Sequence, residues 1–490
     1  MKNLNYIRSI KQQWWRICAA IVLIGGLGAC DSILVEKPKS LAVEVFYNTA
    51  EEVETAVNAI YRPLRISTFA NYVATLECQS DWMYGRGSWT PLSDYQGLND
   101  ANITRVSGFW NSFYLAIRDA NLVIQNAPNG SAISQEDIDK YVAEAKFLRA
   151  FTYFHLVRNW GSIPLRTEAN MDEKDLPKSS ESQVYDLIVA DLLEAESKLP
   201  DTPKDIGRPS KWAAKSLLAD VYLQLGNYQE AANRSKEVMD SGKFSLVPVS
   251  SVQDFQYKLF GPDILTTPEE IFYFKYSRLE GQGNYILWIS NHPSTNLFSF
   301  GGAYAVHGDN VNPNYINWDD LDLRKGMWDN INFGLGPTTL VSSKYVDPDA
   351  ISQSGAGNDQ PVYRFADVLL IYAEAAARAE GQVSPLALES LNQVRRRAYG
   401  YNPTAPSEVD YQSSGSTEQF VDLVVKERGY EFLYEGKRWH ELRRIGRVNE
   451  LIGYGKNKTV AEKHLLWPIP LSEMNYNNLL DPATDQNPGY

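Results

Sequence analysis

The sequence predicts a mostly α-helical fold, a tetratricopeptide-like α/α superhelix of helix pairs carrying an irregular lobe that contains short strands. Three observations predict it. Apolar residues recur at three- and four-residue steps at Ile138, Tyr141, Val142, Ala145 and Leu148, and again at Phe365, Val368, Leu369, Tyr372 and Ala376, the spacing of a buried helix face. Leu218, Ala219, Tyr222, Gly226, Tyr228 and Ala231 fall in the register of a tetratricopeptide helix pair over 211–242, with Lys215 at the usual Trp position. From about 244 to 360 the helical period fails, Gly and Pro recur, and Phe244–Val249 and Ile271–Tyr276 read as strands.

Taken in order, residues 1–29 form a leader. Lys2, Arg8, Lys11 and Arg16 precede the apolar run Ile17–Ala29, which is shorter than the about 20 residues a membrane span needs. This pattern predicts an export signal. Its ending, Leu27-Gly28-Ala29-Cys30, resembles the bacterial lipoprotein box, in which the leader is cut before the cysteine and the thiol acylated. Cys30 would then start the mature chain and hold it to a membrane that it does not span.

The helical part from about 41 to 243 includes a capping box, Ser180 with Gln183, ahead of Val184–Val189. Within it, Asn71–Phe109 lacks periodicity. The irregular lobe occupies about 244–360, and long unpatterned segments in a compact domain are usually functional. In the C-terminal helical part, about 361–490, a second repeat copy runs from Tyr372 and Ala373 through Gly381 to Ala387, Leu391 and Val394. A second capping box pairs Ser416 with Gln419. Lys426–Arg447 reads as one charged helix, with Glu427, Glu431 and Glu435 at successive i,i+4 positions. Such interleaved charges point to structural pairing across the helix and to its neighbours.

Charge and rare residues narrow the function. The 490-residue chain carries a net charge of −13, and the mature part is more acidic still because the leader is basic. Nucleic acid and anionic lipid are therefore poor partners. Cys18 leaves with the leader and Cys30 is the acylation site, so Cys78 has no disulfide partner. His155, His292, His307, His440 and His464 are scattered without zinc-ligand spacing, and no metal or cofactor is expected. Asp309, Asn310, Asn312, Asp319, Asp320 and Asp322 match no EF-hand spacing. No GxSxG or Walker loop is present, and Gly334-Leu335-Gly336-Pro337 lacks the strand-to-helix context of a dinucleotide site.

The site expectation rests on aromatic residues. Trp82, Tyr84, Trp89 and Tyr95 are interspersed with Asp81, Arg86, Ser88 and Asp94 and show no period that would bury one face. Sugar rings pack their C–H faces on aromatic rings while their hydroxyls need polar partners, so this mixture suits a glycan. Asn284, Tyr285, Trp288, His292, Trp318 and Trp328 form a more dispersed second set.

The chain resembles the SusD/RagB family, the surface nutrient-binding lipoproteins of Bacteroidetes. The resemblance is carried by Trp467-Pro468-Ile469-Pro470 with Glu473 and the ending Gln486-Asn487-Pro488-Gly489-Tyr490. It extends through Ala143–Ala150, Tyr153-Phe154, Gly161 and Pro164, through Arg364–Leu370 and Tyr372–Ala375, and through Glu427-Arg428, Glu431, Glu435-Gly436, Arg438, Leu442 and Arg443. His440 and Glu441 depart from the family's usual aromatic and Asp.

This resemblance implies one SusD-like domain over 30–490, anchored through Cys30 to the outer membrane and facing outward. It further implies a protein that binds glycan or oligosaccharide and passes it to a SusC-like TonB-dependent transporter without catalysing a reaction. Family ligand surfaces are built from loops of both irregular regions, which makes Asp81, Trp82, Tyr84, Arg86 and Trp89 one expected wall and Tyr285, Trp288 and Trp318 the second. Trp328, after the turn Asp322-Leu323-Arg324, is read as structural. Two alternatives accompany this reading. One is a helical-barrel glycoside hydrolase, for which Asp81 and Asp94 are the acids in the best cluster; the other is the same fold binding peptides or acting as a repeat scaffold.

Overall fold

The computed structural model describes residues 46–65, 67–296, 306–412 and 415–490; the leader and Cys30 lie outside the described residues. Asn48–Tyr490 form one compact unit. Its helices are α1 (Ala50–Tyr61), α2 (Ser67–Cys78), α3 (Thr90–Asp94), α4 (Asp100–Asn126), α5 (Gln135–Trp160), α6 (Glu181–Lys198), α7 (Lys211–Gln224) and α8 (Tyr228–Asp240). They continue as α9 (Ile286–Ser290), α10 (Phe365–Glu380), α11 (Pro385–Ala398), α12 (Thr417–Glu431), α13 (Arg438–Arg444), α14 (Val448–Lys456) and α15 (Leu471–Tyr476).

Neighbours in the helical array follow chain order from α4 through α8, each packing on the next. The array then crosses a long insertion, because α8 packs directly on α10, which pairs with α11. Both expected repeat pairs are present, as α7–α8 and α10–α11. Gly226 and Gly381, at φ of 73° and 66°, make their turns in a region that L residues seldom adopt. The two capping boxes form as the sequence implies, with Ser180 and Ser416 accepting from the backbone of Gln183 and Gln419. Helix α5 is buried on all sides along most of its length, which is why its sequence is apolar well beyond one stripe.

Ahead of the insertion, β2 (Ile163–Pro164) pairs antiparallel with β3 (Lys178–Ser179), and the insertion itself is tied off where it leaves and rejoins the array by antiparallel pairing of β4 (Glu270–Phe274) with β8 (Gln360–Arg364). Inside it, β5 (Val306–Asp309), β6 (Trp328–Asn330) and β7 (Thr339–Ser342) join β1 (Tyr84–Gly85) in a sheet of order β1-β5-β7-β6. Tyr84 pairs with His307 and Gly85 with Val306. The two unpatterned stretches are thus one structural lobe. Gly85 is required there, since a Cβ would lie 2.3 Å from the Trp89 carbonyl oxygen.

Three sequence expectations differ from the structure. Asn71–Cys78 is helical, as part of α2, and irregular backbone is confined to about 79–99. Phe244–Val249 forms no strand; Ser245 N–H instead donates to the Pro268 carbonyl and Val247 N–H to the Glu269 carboxylate. Lys426–Arg447 is not one helix, because Tyr434 and Gly436 turn the chain at φ of 61° and 72° between α12 and α13.

That turn lets the α12 carboxylates point into a buried ion network. Arg364 reaches Glu269 at 2.7 Å and Glu435 at 2.8 Å, Arg324 reaches Glu431 at 2.8 Å and Asp322 and Glu427 at 2.6 Å, and Arg397 reaches Glu269 at 3.0 Å. Three arginines around Glu431 hold its carboxyl far below its ordinary value despite burial. Glu269, Asp322 and Arg324 belong to the lobe, so the network fixes lobe to array, and removing one member would leave an uncompensated buried charge at a cost of about 3–5 kcal/mol.

The C-terminal signature has an equally concrete role. Trp467 packs edge-on against Trp160 at 5.0 Å, and Trp160 Nε1 donates to the Pro468 carbonyl. Asn487 Nδ2 donates to the Trp160 and Trp467 carbonyls, and the Gln486 side chain brackets the Ile469 backbone at 2.8 and 2.9 Å. The ending is a clamp on the last turn of α5.

Candidate functional site

Helix α9 presents two partly exposed aromatic rings on the lobe. Ile286, Leu287 and Ile289 are buried, which leaves Tyr285 and Trp288, three residues apart, on the outward face. Their half-buried rings stack at 4.8 Å and 28°. The inner edges rest on the core cluster that includes Trp82 and Trp89, so the ledge cannot tip inward. Burial pushes the Tyr285 phenol up to about 12, with the Arg105 charge opposing it, so the hydroxyl is a neutral donor and acceptor at physiological pH.

Arg105, near the start of α4, lies 4.0 Å over the Trp89 ring and donates to Ser88 Oγ at 2.6 Å. Two more stacked pairs occur in the lobe. His292 and Phe333 stack at 4.5 Å and 8°, and Tyr84 and His307, partners across β1 and β5, at 5.8 Å and 22°. Burial, with the Arg86 charge adding to it, lowers both His292 and His307, leaving neutral imidazoles. The surface therefore combines flat rings with uncharged hydrogen-bonding groups and the guanidinium groups of Arg86 and Arg105.

Four of the expected wall residues are internal. Asp81 is fully buried and gives both carboxylate oxygens to Arg438, from Nε and Nη2 at 2.8 Å each. Trp82, 5% exposed, sits edge-on between Trp318 at 5.4 Å and Tyr430 at 5.6 Å. Trp318, 2% exposed, stacks on Tyr430 at 4.5 Å and donates its indole N–H to Asp322. Trp89, 4% exposed, is covered by Arg105. These residues form the floor beneath the ledge and not the ledge itself. Their covers come from α4, α12 and α13, which no local pattern around residue 82 or 318 reveals. Tyr84, Arg86, Tyr285 and Trp288 do reach solvent.

Arg105, His307 and Phe333 join the surface without having been singled out as site residues. Arg105 sits in an ordinary helical pattern, and His307 is placed by strand pairing. Phe333 was the most accessible to inspection, a lone aromatic beside Gly334-Leu335-Gly336-Pro337. Of the carboxylates considered for hydrolysis, Asp81 is committed to Arg438, and Asp94 lies 3.1 Å from Lys458. Among the described residues no group of three or more His, Cys, Asp or Glu is placed to hold a metal ion, and no helix is long and apolar enough to cross a membrane.

A tetratricopeptide-like array with an inserted loop lobe, closed by a Trp-Pro clamp, defines the class of this protein. The SusD family matches residues 300–490, and a family described as "Starch-binding associating with outer membrane" matches residues 34–223. The chain belongs to the SusD/RagB family. SusD-like protein P2 of Formosa agariphila is 28% identical, with 96% of this chain and 98% of the relative aligned; a SusD-like protein of Bacteroides ovatus is 24% identical, over 84% and 79%. Among solved structures, a SusD superfamily protein of Parabacteroides distasonis (25% identity, TM-score 0.74) covers 90% of this chain and 99% of its own. A laminarin-binding SusD-like protein (23%, 0.73) covers 91% and 100%.

Proposed function

We propose that the protein binds glycan on the lobe surface around Tyr285 and Trp288 and delivers it to a SusC-like TonB-dependent outer-membrane transporter, held at the outer membrane by acylated Cys30 and facing outward. The observation that carries this reading is the stacked Tyr285–Trp288 ledge, two half-exposed rings on one face of a short helix with polar groups beside them. Pyranose C–H faces pack on such rings, and the tyrosine hydroxyl, imidazoles and guanidinium groups serve the sugar hydroxyls. The family description that names starch binding and outer-membrane association, and the laminarin-binding neighbour, support it. The lobe binds and does not cleave. A transfer step favours shallow, moderate affinity, because a deeply enclosed ligand would not leave.

Trp288→Ala should weaken polysaccharide retardation on native affinity gels by about tenfold or more, the about 1.4 kcal/mol expected for loss of one stacking ring. Its helical circular dichroism should be unchanged. Wild-type retardation by a folded Trp288→Ala, Tyr285→Ala double variant would overturn the ledge as the binding surface.

A further inference from the structure

A second cleft, sharing no residue with the aromatic surface, opens on the helical array between the last turn of α5, the start of α6 and α13–α14. It encloses about 410 Å³, within the range of small-molecule sites, and is lined by Arg158, Arg443, His440, Glu181, Tyr185 and Gln224, and by Glu450, whose carboxylate is paired with Arg447. From Arg364 through Arg447 every other arginine has a carboxylate within ion-pair distance; Arg443 has none among the described residues. Its Nη1 donates to the Arg158 backbone carbonyl. Arg158 also lacks a carboxylate partner among the described residues: its Nε donates to the Phe154 carbonyl at 3.1 Å and its Nη2 meets His155 Nδ1 at 3.2 Å. Two guanidinium groups thus share one cleft in a chain of net charge −13. Burial lowers Arg443 to about 10, with Tyr185 and the Glu181 carboxylate opposing it and the Arg158 charge adding to it.

A third group faces the same space. His440 is 4% exposed, and its Nδ1 has no hydrogen-bond partner among the described residues. A guanidinium only donates, so His155 Nδ1 accepts from Arg158. The Tyr72 hydroxyl accepts from Asn159 Nδ2 at 2.7 Å and lies between His155 Nδ1 at 2.9 Å and His440 Nε2 at 3.3 Å. His440 is tied to this network through Nε2, and Nδ1 is its ring nitrogen without a partner.

We propose that this cleft binds the carboxylate of a sugar acid, with Arg158 and Arg443 as donors to it and the unpartnered His440 Nδ1 as a further polar contact. Planar guanidinium groups match a carboxylate, and an orphaned buried polar atom is costly until something pairs with it. Glu181 selects within the anions. It cancels one of the two arginine charges, which disfavours dianions and polyacidic segments, and with Gln224 and Tyr185 it offers acceptors and donors for hydroxyls. A single negative charge on a hydroxyl-rich body fits that lining.

Titration calorimetry of the purified protein with D-glucuronate, D-glucuronamide and acetate tests this. Glucuronate should bind, the neutral amide and acetate at least tenfold more weakly, and Arg443→Gln should lose at least tenfold with unchanged circular dichroism. Trp288→Ala should bind glucuronate as the wild type does, which separates this site from the glycan ledge. Equal binding of glucuronamide, or a folded Arg443→Gln that binds normally, overturns the proposal, and the amide comparison needs no variant. Acetate as tight as glucuronate indicates an adventitious ion only. An N-acetylated amino acid that binds more tightly than glucuronate replaces the sugar acid with a peptide terminus.

Discussion

Replacing Asp81 by Asn separates a ligand-contacting carboxylate from a structural one. In the structure its two oxygens accept from Arg438 Nε and Nη2, both at 2.8 Å, and the pair is buried. Hydrogen bonds between ionised groups contribute about 1.5–3 kcal/mol each, so the pair is worth at most about 6 kcal/mol. The variant should lose less than that. Asn keeps one acceptor, and Arg438 keeps Glu441 at 2.6 Å and the Val425 carbonyl at 2.9 Å. The amide NH₂, however, would face a guanidinium N–H, and the expected cost is about 3 kcal/mol, at the low end for breaking a buried pair. Urea denaturation followed by circular dichroism should give a lower midpoint with an unchanged slope. Below that midpoint, polysaccharide retardation on native gels should equal that of the wild type, because Asp81 lies beneath the ledge. An Asp81→Asn protein of wild-type stability that no longer retards would refute this assignment and return Asp81 to the ligand wall.

Two further predictions concern pH. Lys456 is buried, donates to the Cys78 carbonyl at 2.9 Å and lies over the Tyr84 and Tyr95 rings; burial lowers it from 10.5 to about 7. The folded state therefore prefers the neutral amine, and stability should rise between about pH 7 and 10.5, by up to about 5 kcal/mol at 1.36 kcal/mol per unit. Lys456→Met should abolish that rise and stabilise the protein at pH 7 by about 2 kcal/mol, after about 1–3 kcal/mol is lost to the orphaned carbonyl; denaturation midpoints at pH 7 and 9.5 check both statements. His155 and His440 are held neutral by burial, then by Arg158, well below the ordinary imidazole value. Stability should fall as pH drops below about 6.5, by about 1.4 kcal/mol per unit for each of these two histidines, and His155→Leu should make that limb shallower by about that slope.

How much of this was legible beforehand depends on the range of the interactions involved. Helices α5, α7, α8, α10 and α11 are local events: a stripe of apolar residues, a cap such as Ser180 with Gln183, and a glycine at each turn lie within a few residues of one another. The break between α12 and α13 was not legible, because Glu427, Glu431 and Glu435 keep helical spacing while their partners Arg324 and Arg364 lie 67–107 residues away.

The aromatic residues divide the same way. Trp82, Trp89, Trp288 and Trp318 are chemically alike and sit in equally unpatterned sequence, and only the packing of α4, α12 and α13 over three of them left Trp288 in the open. Periodicity was enough for the fold class, which is written in short-range pattern, and the family showed through resemblance to a signature, Trp467–Pro470 with Gln486–Tyr490, whose residues clamp one another. Which rings face solvent, which carboxylates are spent on arginines, and which arginines remain without one were settled only in three dimensions, because burial and charge pairing depend on neighbours hundreds of residues away.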